Sequence, residues 1–470
     1  MNHNNNHNNS NNMKHYLRLS LLFIIYHLSF SGAAAQSAMD IVNQMSPGWN
    51  LGNTFEAKHW NGADLYNNKG GLAAETSWQS TKTSQAIIDY VKSLGFRSVR
   101  IPVAWVCGHI SNAAAYTIDP NWMKRVKQVV DYCINAGLYV VLNDHWDGGW
   151  LENHIADTDA ATVEKNKAVL TAIWTQIAEA FRDYDDHLLF AGLNEPNTED
   201  TPKASTMNNL IMYNQTFIDA VRATGGQNAT RVLVVQGPST DIGKTVKQAQ
   251  RYLKLNDPAT QRLAIEVHYY APWQFWGMEQ DESWGKVFYY WGSGNHHSGS
   301  QHNATHSEEA FMKQQLQLMK TNFVDKGMPV IIGEFGANWR DLSSQKNESQ
   351  EKHDASIRFH YKEFHRLCKE LGGMVPMTWD INSCNQQGTK GTMTIVDRAH
   401  LTIYGTPAMQ GINDVWPAPS TEGISTPQAC APADTPAAVY NLHGQLVADD
   451  LTDVTMAGVY ICHNRKFIIR

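Results

Sequence analysis

The sequence has no cluster of basic residues, few cysteines and no apolar run of transmembrane length, and each absence excludes a class of protein. The formal net charge is −7, so a nucleic acid is not expected as the main ligand. The longest apolar run, residues 21–30, is too short to span a bilayer and contains His27, so we expect no membrane span in the mature chain. No Cys-x-x-Cys pair or His-rich spacing indicates a structural metal, and we expect neither a metal nor another cofactor.

Residues 1–35 are predicted to be a leader that is absent from the mature protein. Lys14 and Arg18 precede the apolar run, and the alanines at 33–35 form a small-residue cleavage site. We therefore predict a signal peptide at 13–35, a mature start at Gln36, and a secreted or cell-surface protein.

The six cysteines are widely spaced and match no small disulfide framework. Cys107 with Cys133, and Cys368 with Cys384, are the candidate disulfides of an exported chain. Buried free thiols are the alternative, because free cysteine is an ordinary small core residue.

From residue 36 to residue 416 short apolar runs alternate with amphipathic stretches, which predicts an α/β fold, a (β/α)8 TIM barrel. The predicted strands are 48–53, 98–103, 138–143, 188–193, 231–236, 263–268, 329–332 and 374–379. The predicted helices are 84–93, 122–136, 160–181, 208–223, 243–255, 307–326 and 355–370. In such barrels the chemistry lies where the strands end.

Two carboxylates follow predicted strands that are far apart in the sequence. Asn194 and Glu195 end the fourth strand, and Glu334 ends the seventh. A glycosidic bond is hydrolysed by two carboxyl groups, one that protonates the leaving oxygen and one that attacks or activates water. Either motif alone has a purely structural explanation, since Pro196 by itself is enough to end a strand.

Other predicted strands also end in polar or aromatic residues. Each has a structural explanation, but together they indicate one polar end of the barrel, because buried polar groups are costly unless they pair there. They are Asn50, Asn53, Arg100, Asp144, His145, Trp146, His268, Tyr270, Trp379 and Asp380.

These motifs resemble glycoside hydrolase family 5, most closely its endo-β-1,4-glucanases and xyloglucanases. The matching stretches are Gly-Trp-Asn-Leu-Gly-Asn53-Thr, Arg100-Ile-Pro, Asn-Asp-His145-Trp146-Asp, Asn194-Glu195-Pro, His268-Tyr-Tyr270, Gly-Glu334-Phe-Gly and Thr-Trp379-Asp. The resemblance implies that Glu195 is the general acid/base, Glu334 the nucleophile and Asn194 the donor to the 2-hydroxyl of the sugar.

The same resemblance implies supporting roles for the other motif residues. Arg100 and Tyr270 would keep Glu334 ionised, and repulsion from Glu334 would keep the proton on Glu195. The remaining predicted substrate-binding residues are Asn53, His145, Trp146, His268 and Trp379.

The segment 269–306 is too long for a simple turn and is rich in aromatic residues. We predict that it forms a wall of an elongated sugar cleft through Trp273 and Trp276, with a self-packed aromatic cap as the alternative.

Past residue 416 the composition changes. The stretch 417–436 is proline-rich and predicted to be a linker, and 437–470 is predicted to be a β-rich tail. Through Val-Tyr-Asn-Leu-x-Gly and Ala-Gly-Val-Tyr-Ile the tail resembles the sorting domain read by the type IX secretion system of the Bacteroidetes. That resemblance implies the secretion machinery as a partner; a vestigial binding module is the alternative.

The sequence as a whole predicts a secreted retaining endo-β-1,4-glucanase with a β-linked polysaccharide as its substrate. Xyloglucanase, mixed-linkage glucanase, mannanase and xylanase remain open, because they share the catalytic frame. A metal-dependent hydrolase that uses His145, His268 and the acids, and a non-catalytic polysaccharide-binding barrel, are the alternatives from other classes.

Overall fold

The computed structural model describes residues 36–58, 64–385 and 388–418, and four strands of the carboxyl-terminal tail. The chain divides into two compact units, the first ending at Pro419 and the second beginning at Ser420. The predicted signal peptide and most of the predicted linker lie outside the described residues. Among the described residues, no helix is both long and apolar enough to cross a bilayer.

Eight parallel strands close into a barrel, which confirms the predicted fold class. The barrel closes where the eighth strand pairs with the first, with Met377 opposite Gly48. Each strand coincides with a predicted one. The strands are β1 (Gly48–Asn50), β2 (Ser98–Ile101), β3 (Tyr139–Asn143), β4 (Leu188–Ala191), β5 (Leu233–Gln236), β6 (Leu263–Tyr269), β7 (Val330–Phe335) and β8 (Met374–Thr378).

A helix follows every strand and covers the outside of the barrel. Several helices begin at a Ser or Asp whose side chain accepts a hydrogen bond from the first turn, as Ser84, Asp159 and Ser349 do. The helices are α1 (Gln85–Ser93), α2 (Pro120–Asn135), α3 (Ala160–Ala180), α4 (Ala204–Ala223), α5 (Ile242–Lys247), α6 (Glu309–Asn322), α7 (Gln350–Leu371) and α8 (Thr406–Asn413).

One predicted helix needs correction, and one observed helix was not predicted. The single helix predicted over 243–255 is two short helices, α5 and Ala249–Tyr252, because the backbone leaves the helical conformation at Gln248, with φ −110° and ψ 6°. Helix α8 was not predicted. It is short and contains Gly411, where a Cβ atom would lie 2.3 Å from the carbonyl oxygen of Arg358 in α7. The two helices therefore pack closely at a residue that weakens the helical sequence pattern.

Short elements decorate the barrel. Two small hairpins pair Ile110–Asn112 with Thr117–Ile118 and Val396–Asp397 with Thr402–Ile403. Short α-helices lie at Ala38–Val42 and Trp273–Trp276. The 3₁₀ turns are Leu72–Thr76, Asp147–Gly149, Glu152–His154, Gly226–Ala229, Pro238–Thr240, Val324–Lys326 and Gly388–Lys390.

The barrel interior is apolar at one end and charged at the other. Alternate strand residues, together with Ile41 and Val42 of the helix before β1, form the apolar end. Towards the carboxyl ends of the strands the interior residues become fully buried polar groups, among them Asn50, Arg100 and Glu266. The strands of this barrel therefore deliver their polar residues to one end, as the sequence predicts. The apolar layer is Val141, Leu189, Ala191, Val232, Val234, Ala264, Ile331, Val375 and Met377.

Neither candidate disulfide forms. Cys107, Cys133 and Cys368 are buried free thiols, and Cys384 is a half-buried one. Burial raises the pKa of Cys107 to about 12, so this thiol stays protonated and packs as a small apolar group.

Four described strands of the tail form one antiparallel sheet. In spatial order they are Leu446–Ala448, Val439–Asn441, Gly458–Cys462 and Arg465–Ile469. The predicted tail thus contains β-structure of its own.

Candidate active site

A β-bulge at Gly333 turns Glu334 into the barrel. Ile332 pairs with Val267 and Glu334 pairs with His268, so Gly333 is an extra residue in β7. Gly333 also leaves room for Glu266, since a Cβ atom there would lie 1.9 Å from Glu266 Oε1. Asn50 of β1 fixes the bulge by donating to the carbonyl oxygen of Gly333 at 2.9 Å.

Arg100 of β2 is the hub of the site and is fully buried. Its Nη1 donates to Glu334 Oε1 at 2.9 Å, and its Nη2 donates to Asn194 Oδ1 at 2.7 Å. Its Nε lies 2.9 Å from Glu266 Oε1. One guanidinium therefore neutralises two buried carboxylates and orients the amide beside Glu195.

His268 of β6 connects the two candidate catalytic acids. Its Nδ1 lies 2.6 Å from Glu195 Oε1 and 3.8 Å from Glu334 Oε2. One oxygen of each of these carboxylates and a ring nitrogen of His268 all lie within 4.8 Å of one another. The side chain of Glu195 is 45% exposed, whereas that of Glu334 is 8% exposed. Only one of the two acids is thus open to water.

Burial and charge set the protonation of this cluster. Burial alone would lower the pKa of His268, but the surrounding glutamates raise it to about 10, so the imidazole is a cation. Burial raises the pKa of Glu334 against the opposing charges of His268 and Arg100. Burial acts in the same direction on Glu195, but the hydrogen bond and charge of His268 outweigh it, and the pKa of Glu195 lies below its usual value.

The predicted protonation order did not take His268 into account. Repulsion from Glu334 was expected to keep the proton on Glu195, but a cationic His268 in contact with Glu195 favours its ionised form. The sequence could not weigh these effects, because they depend on distances across the barrel.

Tyr270 donates its hydroxyl proton to Glu334 Oε2 at 3.2 Å. Burial and the charge of Glu334 raise the pKa of Tyr270 well above its usual value, so the phenol remains a donor. The ring of Tyr270 lies 4.3 Å from that of Trp276, centroid to centroid. Trp276, in the aromatic segment after β6, is therefore connected to the Glu334 carboxylate through Tyr270.

The rings of Trp379 and His145 are nearly parallel, at 8°, with their centroids 5.8 Å apart. Burial, and then the charges of Arg100 and His268, keep the pKa of His145 well below its usual value, so this imidazole is neutral. Asp380 fixes the end of β8 beside Trp379, because its Oδ2 accepts from Trp49 Nε1 at 2.9 Å.

The glutamates open into a cleft of about 430 Å³. Its lining combines acids, hydroxyls and aromatic rings. The lining residues are Glu195, Ser239, Thr240, Asp241, His268, Tyr270, Trp276, Glu334, Trp379 and Met393.

Six predicted binding residues lie outside this lining, and three of them, Arg100, His145 and Asn194, contact the lining residues or each other as described above. Trp273 is 47% exposed and borders a second pocket, of about 570 Å³, together with Trp284. Trp146 is exposed in the loop after β3. Asn53 lies in the turn after β1 with φ 56°, and its backbone N–H donates to Glu56. Within the described part of the chain, Trp273, Trp146 and Asn53 make no hydrogen bond or ring contact with either glutamate.

Sequence reasoning missed Glu266, which belongs to the site as firmly as Arg100 does. Gln236 Nε2 donates to its Oε2 at 2.7 Å, and its pKa is lowered by Arg100 and His268 despite complete burial. The sequence pattern could have identified Glu266, since Glu266 and His268 of β6 and Tyr270 just after it occupy alternate positions and so face the same side. Among the missed residues is also Glu152, a buried acid whose Oε1 accepts from the backbone N–H of Glu195 at 2.5 Å.

Glu195, His268 and Glu334 also form a group that could ligate a metal ion. Their donors fit a metal poorly, because Arg100 already donates to Glu334 and both nitrogens of His268 lie near carboxylates. A cation between the acids would also be repelled by the guanidinium and the imidazolium. His145 does not belong to this group.

Comparison with known proteins agrees with this geometry. The family model described as "Cellulase (glycosyl hydrolase family 5)" matches residues 62–385. The xyloglucan-specific endo-β-1,4-glucanase of Bacteroides ovatus is 36% identical over 74% of this chain and 66% of its own length. Endoglucanase A of Clostridium longisporum is 32% identical over 80% of this chain and 65% of its own length.

A solved structure gives the same result. The crystal structure of a GH5 xyloglucan-specific β-1,4-glucanase from a ruminal metagenomic library, in complex with XXLG, is 44% identical to this chain, with a TM-score of 0.72. The match covers 82% of this chain and 98% of that one. The chain belongs to the cellulase family, glycosyl hydrolase family 5.

Proposed function

We propose that this protein is a secreted retaining endo-β-1,4-glucanase that hydrolyses β-glucan chains by double displacement. The observation that carries the proposal is the spacing of the two acids, whose nearer oxygens lie within 4.8 Å of each other. Carboxyl groups about 5 Å apart suit a retaining mechanism, whereas inverting enzymes need about 6.5–9.5 Å to hold a water between them. The leader predicted at 13–35 supports secretion.

In this mechanism Glu334 attacks the anomeric carbon while Glu195 protonates the departing glycosidic oxygen. The products of this step are the released chain end and a glycosyl ester on Glu334. Glu195 then removes a proton from water, which attacks the same carbon and frees Glu334. Asn194, oriented by Arg100, donates to the 2-hydroxyl as the transition state forms.

Substrate binding favours a proton on Glu195. A sugar chain in the cleft covers Glu195, whose side chain is 45% exposed, and removes water that stabilises its charged form. Glu334 is already buried and retains the hydrogen bonds from Arg100 and Tyr270. Covering the site therefore raises the pKa of Glu195 more than that of Glu334.

Xyloglucan is the β-glucan we favour as the preferred substrate. The names of the solved relative at 44% identity and of the Bacteroides ovatus relative both include xyloglucan. Trp276 lines the cleft, and its ring lies 4.7 Å, centroid to centroid, from that of Trp273, which borders the second pocket. A panel of xyloglucan, mixed-linkage β-glucan, cellulose derivatives, mannan and xylan tests this preference through initial rates; a higher kcat/KM on mannan or xylan would contradict it.

The deciding experiment removes each acid in turn and measures hydrolysis of an activated aryl glycoside with and without azide. Glu334→Ala should abolish turnover, because no ester can form however good the leaving group is. Glu195→Ala should still be glycosylated and accumulate the intermediate, since an activated phenolate departs without an acid.

The anomeric configuration of the azide product then distinguishes the roles. Azide should rescue Glu195→Ala with retained configuration, and any rescue of Glu334→Ala should give the inverted product. The unmodified enzyme with azide is the control. The opposite stereochemical pattern would exchange the roles, and inversion by the unmodified enzyme would refute double displacement.

The same variants test the alternatives from other classes. Activity that survives exhaustive chelation removes a metal-dependent hydrolase. A non-catalytic binding barrel predicts that the chain binds polysaccharide with no turnover and that both variants bind as well as the wild type.

A further inference from the structure

Glu152, in the loop after β3, holds the backbone on which the proposed acid/base is carried. It is 8% exposed, and its Oε1 accepts from the backbone N–H of Glu195 at 2.5 Å. Its own carbonyl oxygen accepts from the backbone N–H of Asn197 at 3.0 Å. These two hydrogen bonds hold the backbone at Glu195 and at Asn197. This segment lies beyond the last residue of β4, so strand pairing does not hold it in place.

Glu152 also lies beside Asn194. Arg100 Nη2 donates to Asn194 Oδ1, so the amide nitrogen must point the other way. The Asn194 side chain opposes the raised pKa of Glu152, which indicates that the carboxylate of Glu152 is near it. The amide oxygen is thus fixed by Arg100.

The loop that carries Glu152 is itself anchored. Asp147 accepts from the backbone N–H groups of Trp105 and Val106 at 2.9 and 2.7 Å, and Trp150 Nε1 donates to Asp144 at 3.2 Å. Because these hydrogen bonds hold the loop in place, the Glu152 carboxylate can fix the position of the Glu195 backbone that it binds.

Several charged groups face Glu152. They are Glu195 and His268 on the barrel side, and Asp144 with its neighbour Asp147 in its own loop. Burial raises the pKa of Glu152 to about 7, the hydrogen bond from the Glu195 backbone opposes this shift, and the charge of Glu195 reinforces it. Below neutral pH Glu152 is therefore protonated, and an oxygen of the neutral carboxyl group can still accept the backbone N–H.

We propose that Glu152 is a positioning residue of the catalytic reaction, which fixes the Asn194–Glu195 peptide through its backbone hydrogen bond. This inference rests on the proposed function of Glu195 as the acid/base. Glu152 itself does not touch the substrate.

The test compares Glu152→Gln with Glu152→Ala on two aryl cellobiosides, one with a poor and one with an activated leaving group. Glu152→Ala should lower kcat/KM on the poor leaving group by about 10- to 100-fold, because a displaced acid no longer reaches the departing oxygen. It should change the activated substrate by less than about threefold in the glycosylation step, which needs no acid. Glu152→Gln keeps an acceptor for the N–H and should recover most of the loss.

The pH profile tests whether this role needs a charge. Glu152 is neutral at the pH where Glu195 titrates, so Glu152→Gln should leave the alkaline limb of kcat/KM where it lies in the wild type. Glu75→Gln is the matched control, since Glu75 is also a buried carboxylate that accepts a backbone N–H, from Thr83 at 2.9 Å, and it is absent from the cleft lining. Glu75→Gln should lower the thermal midpoint without moving either readout.

Equal losses of Glu152→Ala on both substrates, no recovery in Glu152→Gln, or an alkaline limb that moves in Glu152→Gln would overturn the inference. If Glu152→Ala does not fold, Glu152→Asp, which withdraws the acceptor by one methylene group, is measured on the same two substrates and decides alone. Glu195→Ala is measured in parallel. If it shows the leaving-group dependence and Glu152→Ala does not, only the inference fails; if Glu195→Ala lacks that dependence as well, the proposed function and the inference fall together.

Discussion

Replacing Arg100 by Met should produce opposite pH trends in activity and in stability. The wild-type cluster balances two cations, Arg100 and His268, against Glu266 and Glu334 when Glu195 is protonated. Arg100→Met leaves one negative charge uncompensated inside the barrel. The cluster therefore takes up a proton, and the pKa of Glu334 rises further because an opposing charge has been removed.

The structure sets the size of the effect. Arg100 makes contacts of 2.9 Å to each of two buried carboxylates and hydrogen bonds of 2.7 and 3.1 Å to Asn194 and Asn50. Removing one partner of a buried ion pair costs about 3–5 kcal/mol of unfolding free energy. Losing an oriented donor set at the reacting centre costs about 100- to 1000-fold in kcat.

The trends with pH follow from the sign of the shift. A carboxylate whose folded pKa is raised above its unfolded value loses stabilisation as pH rises through the folded pKa, so Arg100→Met should become less stable relative to the wild type as pH increases. Activity should change in the other direction, since Glu334 must be ionised to attack, and the acid limb of kcat/KM should move to higher pH.

The assay is kcat/KM on an aryl cellobioside between pH 4 and 9, together with urea unfolding over the same range. Arg100→Lys is the control, because it keeps the cation and loses the forked geometry. It should lose kcat without moving the acid limb. An acid limb of Arg100→Met that coincides with that of the wild type would refute the account of Glu334, and a stability difference independent of pH would refute the charge balance.

Four further predictions test other parts of the account. Trp276→Ala should raise KM on polymer by about three- to tenfold and KM on an aryl glycoside less, because it removes a ring from the wall of the cleft; equal effects on both would contradict an extended cleft. The alkaline limb of kcat should lie at higher pH than that of kcat/KM, since bound substrate covers Glu195 and raises its pKa, and coincident limbs would show that covering does not matter. The pKa of His268 is raised to about 10, above its unfolded value of about 6.5, so its contribution to stability is complete below about pH 6.5 and is lost as pH rises through 10. In His268→Gln the unfolding free energy should therefore vary less between pH 7 and 10 than in the wild type. Equal slopes in the two proteins would contradict this. A chain that ends at Pro419, the boundary of the first unit, should keep the kcat and thermal midpoint of the full chain, and misfolding of that shorter chain would show that the tail belongs to the barrel.

The sequence by itself determined the barrel and most of the residues at its polar end. Apolar runs with a Glu, His or Trp at their ends predicted all eight strands, and the structure brings Arg100, Asn194, Glu195, His268, Tyr270 and Glu334 into one cluster. This succeeds because strand periodicity is local, and because all parallel strands of a barrel end on the same side.

Only the tertiary structure decided how these residues act on one another. The bulge at Gly333, the inclusion of Glu266 and the contact of Glu152 with the Glu195 backbone depend on which strands and loops meet. The effect of His268 on the protonation of Glu195 could not be predicted from sequence, because the two residues are separated by 73 positions and meet only in the fold. Charge interactions depend on distance and on exclusion of water, and a linear pattern contains neither.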